Sequence, residues 1–182
     1  MSVCGRTQSS SPTSEHVAHD PSNTLELIDF DFRGCRMGDF VNEAALVAQG
    51  YRCSSDVLYA RVCRKFTDKI GDITLTTSYH LEKGELAALN LTFDADSYSK
   101  VVEAFTAKFG RPHEEKQEYV QNRMGASFLN NEVIWRTSSG PLEIQQYGSS
   151  IKYGHVSIIE PGTLAAVEKR QKAKGADAAK DL

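Results

Sequence analysis

Cysteine is the residue type of this chain with the clearest chemical potential, and it occurs at Cys4, Cys35, Cys53 and Cys63. Cys53 and Cys63 are ten residues apart, a separation that suits a short disulfide loop. The chain-entropy model credits such a loop with about 3 kcal/mol of stability. The alternative is two buried thiols that pack as small hydrophobic residues. Four cysteines allow three pairings, so Cys35 could replace either partner or remain free.

Cys4 stands before a segment rich in Ser, Thr and Pro, where the lipid-modified cysteine of an exported bacterial protein would stand. A lipid anchor and a disulfide both favour an oxidising, extracytoplasmic setting. Val3 opposes this reading, because small residues normally precede a lipidated cysteine, and residues 1–20 lack the apolar stretch of a signal peptide. We expect a periplasmic or envelope-associated protein with Cys4 as its candidate lipidation site. A cytoplasmic protein with reduced thiols is the alternative.

Other chemical patterns are weak. The chain has no Cys-x-x-Cys, His-Glu-x-x-His, P-loop, dinucleotide fingerprint or nucleophile elbow. His16, His19 and Asp20 are metal-ligand types, but their segment offers no scaffold to hold them. We expect no metal and no cofactor. An unrecognised hydrolase or lyase site would be built around His80 or His155.

Composition narrows the classes of partner. The net charge of −3 and the pI near 6.0 give no basic stripe for nucleic acid. No run of ~18 apolar residues could span a membrane, so membrane contact would depend on the lipid anchor. A protein partner is expected.

Hydrophobic periodicity places these residues on elements of one domain over residues 25–174, between a flexible tail (1–24) and a frayed end (175–182). In the first half, Asp39 is the predicted cap of a helix that Gly50 ends, and Lys83-Gly84 forms a hairpin turn. The predicted elements of this half are a strand over Leu25–Phe32, a helix over Phe40–Gln49, and strands over Val57–Phe66, Ile73–His80 and Leu86–Phe93.

The second half repeats this order of elements. Asp96 is the predicted cap of an amphipathic helix whose buried stripe comprises Tyr98, Val101, Val102, Phe105 and Phe109. Strands are predicted over Glu115–Arg123, Glu132–Thr137, Leu142–Gly148 and Ile151–Ile159, with a turn at Asn130-Asn131, and a last helix over residues 161–174. The predicted fold is α+β: antiparallel meander sheets, two amphipathic helices packed on one face, and a C-terminal helix. The repeated order suggests a helix-plus-meander duplication.

The second half also carries a recognisable layout, in which Lys108-Phe109-Gly110-Arg111-Pro112 closes the helix and Trp135 lies in a following strand. This layout resembles small exported bacterial proteins without assigned function, and is similar in outline to SmpA/BamE-type lipoproteins and β-lactamase-inhibitor-protein-like domains. The resemblance implies a two-layer α+β fold and an exported, non-catalytic role in binding or assembly. Its motifs are structural, so no functional residue is carried over.

Two function classes follow. The first is a binding or assembly module of the bacterial cell envelope, acting through a sheet face or hairpin loops. Trp135 is expected to be a core anchor, but if it were exposed beside Arg136 and Tyr147 it would form an interface hot spot. The alternatives are a small hydrolase or lyase and a cytosolic interaction protein.

Overall fold

The computed structural model of this chain describes residues 3–5, 27–121 and 124–178, with side chains described as far as residue 172. Most of the predicted tail over residues 1–24 lies outside these ranges, as do the last four residues of the predicted frayed end. Where they are described, both ends are more ordered than predicted. Cys4 and Gly5 form a short strand, and the last helix continues to Ala178.

Ten strands and three α-helices make up the described part of the chain. The helices are α1 (Glu43–Ala48), α2 (Tyr98–Phe109), which follows a 3-10 turn at Ala95–Ser97, and α3 (Pro161–Ala178). The strands are β1 (Cys4–Gly5), β2 (Phe40–Val41), β3 (Arg52–Ser55), β4 (Arg61–Ile70), β5 (Ile73–Glu82), β6 (Glu85–Asp94), β7 (Glu114–Gln121), β8 (Ser127–Thr137), β9 (Gly140–Ser150) and β10 (Tyr153–Ile159).

The described strands form one sheet with the order β3-β4-β5-β6-β10-β9-β8-β7, to which β2 and β1 are added beside β6. The pairings between these strands are antiparallel. β6 and β10 meet at the centre, in a register that runs from Tyr153 opposite Asp94 to Ile159 opposite Ala88. The outer strands of the main path are therefore β3 and β7.

The two halves of the chain share one order of elements. α1 precedes the meander β3 to β6, and α2 precedes the meander β7 to β10. The last strands of the two meanders lie side by side at the centre of the sheet. This confirms a mixed α+β fold built mainly from antiparallel strands. The duplication and the packing of both helices on one face stay predictions.

The main hydrophobic core lies on one face of the sheet, where α2 covers it. Phe105 of α2 packs against Trp135 of β8 with 6.3 Å between ring centroids, and both side chains are buried. The Trp135 Nε1–H donates a hydrogen bond of 2.9 Å to the Gly110 carbonyl oxygen. A buried indole N–H needs a hydrogen-bond partner, and the Gly110 carbonyl supplies it. The same bond fixes the end of α2 on the sheet.

The buried stripe predicted for α2 is confirmed, but its start differs from the prediction. Val101 and Phe105 are its buried residues. Ser97, not Asp96, occupies the N-cap position, and it makes no side-chain capping bond. Asp96 lies in the preceding 3-10 turn, where its N–H donates to the Asp94 Oδ1 at 3.1 Å.

The first helix is shorter than predicted. α1 begins after Asn42, whose Oδ1 accepts a hydrogen bond of 3.1 Å from the Ala45 N–H. Asn42, rather than Asp39, is therefore the N-cap. Phe40 and Val41, which the sequence places in the helix, form β2 instead, and Phe40 is 51% exposed.

The predicted strand over Leu25–Phe32 is wrong in the residues that the structure describes. Ile28 makes only an isolated parallel bridge to Thr137, and Phe32 one to Cys35. Phe30 and Phe32 are nevertheless buried, as the alternation predicts. Their burial comes from side-chain packing onto the core, which needs alternate apolar residues but no ladder of strand hydrogen bonds.

The remaining strand predictions differ mainly at their ends. The hairpin at Lys83-Gly84 is confirmed, since both residues have positive φ, at 52° and 86°. The strand predicted from Val57 begins at Arg61, and β3 was not predicted at all. The predicted turn at Asn130-Asn131 lies inside β8. Asn130 is 2% exposed and bonds through its amide to the Tyr147 backbone, so a turn-forming residue type serves here as a cross-strand bridge.

A buried carboxylate binds the segment before α1 to the sheet. Asp68 is 4% exposed, and its Oδ2 accepts hydrogen bonds from Arg33 Nη1 (2.6 Å), Tyr51 Oη (2.9 Å) and Thr77 Oγ1 (2.7 Å). Burial alone would raise the pKa of Asp68, but these bonds and the Arg33 charge lower it to about 2. The group is therefore a charged and well-bonded anchor.

The opposite face of the sheet packs against α3 and carries polar residues on its central strands. α3 lies over one end of this face, where Val167 packs against Tyr59, Ala87 and Ala88. The strand register gives this face a polar centre. Its members on the central strands are Ser78, His80, Asn90, Thr92, His155 and Ser157.

Candidate functional site

The outer strand β7 presents the longest free edge of the described sheet. It pairs on one side with β8 along its whole length, from Glu114 opposite Ile134 to Gln121 opposite Ser127. Its other side has no strand partner within the described residues. Alternate residues of such a strand direct backbone N–H and C=O groups away from the sheet, where another chain could pair with them.

A groove runs between β7 and α2. It has a volume of about 590 Å³ and receives side chains from α2, β7 and β8. Tyr98 and Val102 of α2 and Val133 of β8 supply its apolar surface. The free edge and the groove lie next to one another, so an added strand would place every second side chain over the groove.

The charges around the groove are mainly negative. Glu103 of α2, Glu115 of β7 and Glu132 of β8 line it, against one cation, Lys116. Lys116 lies 3.5 Å from Glu114, which partly neutralises its charge. Burial, together with the charges of Glu115 and Glu132, raises the pKa of Tyr98 to about 12. The Tyr98 phenol is therefore a neutral hydroxyl in an acidic setting.

The opposite outer strand, β3, is a poorer site for strand addition. β3 has only four residues. The predicted disulfide between Cys53 and Cys63 is present, and the two residues face each other directly in the β3–β4 register. A Glu43 oxygen lies within 4.8 Å of both sulfurs, but sulfurs joined in a disulfide are not thiolate ligands for a metal. The bond serves to hold β3 on the sheet.

Cys4 forms a second disulfide, with Cys35, and this corrects the predicted lipid anchor. A lipid thioether would occupy the same sulfur atom, so lipidation and the disulfide at Cys4 exclude each other. Cys35, whose state the sequence left open, is paired and buried. The two disulfides are consistent with an oxidising envelope or exported location.

The hot spot considered for Trp135, Arg136 and Tyr147 is not assembled. Trp135 is 0% exposed and faces the core. Arg136 forms a 2.7 Å ion pair with Glu114, whereas Tyr147 packs edge-on against Phe128 at 6.1 Å between centroids. Phe128 and Arg136 are eight residues apart on β8, which is roughly 26 Å along a strand.

The two strand histidines lie on the polar face, outside the groove. Asn90 Nδ2 is 3.0 Å from His80 Nε2, and burial with the Arg64 charge lowers the pKa of His80 to about 4. Burial also lowers the pKa of His155. His80 Nδ1 and Asn90 Oδ1 are buried without a hydrogen-bond partner in the described protein. No hydrogen bond joins either ring to a serine or a carboxylate within the described ranges, so no catalytic triad is formed there.

The sequence holds a signal for the edge strand that does not depend on apolar alternation. Glu114–Gln121 reads EEKQEYVQ, which is polar on both faces for its first five residues. A strand that needs no apolar face is an outer strand, and charges on it are a known protection against aggregation. The groove itself depends on where α2 lies, which no local pattern specifies.

No protein-family model matches the chain, and comparisons with curated proteins and with solved structures gave no significant match. In the described ranges, no helix is long and apolar enough to cross a membrane.

Proposed function

We propose that this protein is a non-catalytic binding or assembly module of the bacterial cell envelope, which captures an extended segment of a partner protein along β7. The observation that carries the proposal is the coincidence of an eight-residue free strand edge with a groove beside it. Strand addition supplies backbone hydrogen bonds as affinity, and the groove supplies side-chain selectivity.

The lining of the groove defines the segment that would fit. Tyr98, Val102 and Val133 favour apolar side chains, whereas Glu103 and Glu115 favour Lys or Arg. The partner segment is therefore an extended stretch in which apolar and basic side chains alternate with solvent-facing ones. The three glutamates of β7, against one lysine, also give two copies of this strand the same net negative charge, which disfavours pairing between them.

Selection of peptides from a displayed random library tests this proposal. We expect the enriched peptides to carry apolar and basic residues at a period of two, and to shift the backbone amide signals of β7 and α2 in NMR spectra. Glu115→Lys should abolish the enrichment of basic residues. Glu118→Lys is the matched control, since Glu118 lies on the same strand but does not line the groove.

Two results would contradict the proposal. One is the enrichment of peptides without a period-two pattern, and the other is equal loss of binding in both Glu→Lys variants. Signal shifts confined to the strands around His80 and His155 would instead favour the hydrolase or lyase alternative.

A further inference from the structure

A second concavity lies beside the last two turns of α2, and none of its lining residues lines the groove beside β7. It has a volume of about 220 Å³ and lies between residues 31–33, the end of β4 and the last two turns of α2. Its walls are largely apolar. They are formed by Phe32, Ile70, Ala104, Phe105 and Phe109.

Positively charged side chains lie at the entrance of this cavity. Arg33, Lys69 and Lys108 line it together with one carboxylate, that of Asp31. Arg33 is paired with Asp68 at 2.6 Å. Lys108 Nζ lies 3.0 Å from the Asp31 carboxylate and donates a 2.7 Å bond to the Asp31 carbonyl oxygen.

Lys69 is the cation whose charge is not balanced. Its ammonium group makes no ion pair or side-chain hydrogen bond in the part of the chain that the structure describes, although its carbonyl oxygen accepts a 2.6 Å bond from Arg33 Nη2. The Lys108 ammonium has three N–H donors, and two of its contacts go to one residue. The cavity therefore combines apolar walls with one surplus positive charge at its mouth.

We infer that this cavity binds a small amphipathic anion, a monocarboxylate with a short apolar chain. The apolar chain enters between Phe32, Phe105 and Phe109, and the carboxylate remains at the mouth beside Lys69 and Lys108. Pockets for small molecules are commonly built in this way, with apolar walls and a few charged groups that fix the orientation. The site is separate from the β7 groove and does not depend on peptide binding.

The size of the cavity limits the length of the chain. Each buried methylene contributes about 0.8 kcal/mol, so affinity should rise with each carbon until the cavity is full and then stop rising. Acetate, butanoate, octanoate and dodecanoate therefore form a probe series, with octanol as the neutral counterpart of octanoate. Calorimetry on the full chain measures each affinity. Trp135 fluorescence gives a second readout, because Phe105 contacts both the cavity and Trp135.

Two variants test separately the contribution of the Lys69 charge and that of the apolar walls of the cavity. Lys69→Gln should weaken octanoate binding about three- to fivefold at low salt and leave octanol unchanged, because only the anion contacts the ammonium group. Ala104→Met fills the cavity from α2 and should abolish binding of both probes. Lys100→Gln is the control for the loss of a lysine charge. Lys100 lies on α2, as Ala104 does, but it pairs with Asp72 and does not line the cavity.

The result expected is octanoate binding that exceeds octanol binding and depends on Lys69. Equal binding of octanoate and octanol would overturn the anion site, as would a Lys69→Gln variant with unchanged octanoate affinity. Absence of binding by every probe would overturn the cavity site altogether. Lys69 is exposed, so its variant folds even where Ala104→Met does not.

Discussion

Asp68 is a buried charge that links residues 27–35 to the sheet through Arg33. Its carboxylate accepts from Arg33, Tyr51 and Thr77, so three donors from three parts of the chain meet at one oxygen. A buried polar group that is fully bonded makes a network rigid, whereas a partly bonded one is costly. The energetic weight of this residue can therefore be tested by removing its charge alone.

Asp68→Asn should lower the free energy of unfolding by about 2–4 kcal/mol, because an amide cannot accept from all three donors and leaves the Arg33 charge without its partner. Urea unfolding measures this change. Asp72→Asn is the control, since the Asp72–Lys100 pair is exposed to solvent and its loss should change stability much less. Similar losses in both variants would show that the Asp68 network adds no specific stability.

His80 and Asp68 should each make the free energy of unfolding depend on pH, and they should do so in two separate pH ranges. The pKa of His80 is lowered from 6.5 to about 4, so the unfolded chain binds a proton that the folded chain rejects, and stability falls as the pH drops from 6.5 to about 4. The pKa of Asp68 is lowered from 3.8 to about 2, so its stabilising charge is complete above pH 3.8 and is lost as the pH falls to about 2.

Unfolding in urea at a series of pH values checks this prediction. His80→Gln should reduce the slope in the upper window and keep the lower one. Asp68→Asn should reduce the slope in the lower window and keep the upper one, with a remainder from Asp31, Asp56 and Glu160, whose pKa values are also lowered. The lowered pKa of His155 acts in the same direction as that of His80, so some slope should remain in the upper window of the His80 variant. A single broad transition that neither substitution alters would contradict the assignment.

At the scale of elements, the β6–β10 pairing depends on a close approach between a ring and a glycine. Gly154 lies opposite Phe93, and a Cβ added at Gly154 would come within 2.3 Å of the Phe93 ring. Gly154→Ala should therefore destabilise the protein by roughly 1–3 kcal/mol through overpacking.

A double-mutant cycle tests whether the ring is the cause. Phe93→Leu removes the ring, so Gly154→Ala should cost less in that background than in the wild type. Denaturant unfolding of the four proteins gives the coupling free energy. Additive effects would assign the cost to the Gln145 carbonyl oxygen instead, which lies 3.0 Å from the added Cβ.

The elements that could be predicted from sequence are those whose local pattern and tertiary role agree. α2 has both a helical stripe and a core to cover, so its extent was predicted well. β3 is short and half exposed, so it carries no pattern, and its pairing is set by β4 and the Cys53–Cys63 bond. The groove beside β7 could not be predicted for a related reason. It is formed between elements whose own sequence patterns give no sign of a groove.

At the scale of the whole molecule, the two disulfides constrain very different lengths of chain. Cys4–Cys35 spans 31 residues and Cys53–Cys63 spans 10. In the chain-entropy model the longer loop contributes roughly 4 kcal/mol and the shorter one roughly 3 kcal/mol. The longer bond also holds β1, whose only described strand partner is β2.

Replacing Cys4 and Cys35 together by Ser should therefore cost more stability than replacing Cys53 and Cys63. Urea unfolding under non-reducing conditions measures both losses. Addition of a reductant to the wild type should lower its stability by more than either double variant. If the Cys53–Cys63 pair proved the costlier to remove, the outer strand β3, rather than the attachment of β1, would be the weaker point of the fold.

The pairing of β6 with β10 at the centre of the sheet has a consequence for how the chain folds. Pairing of β6 with β10 joins residues 59 to 71 positions apart, whereas the hairpins of each meander join close neighbours. Distant pairings form slowly because loop-closure entropy opposes them. A first meander that forms before β10 is in place leaves the edge of the apolar strand β6 open. This intermediate is therefore the species most prone to aggregate, and the time needed to pair β10 sets how long that risk lasts.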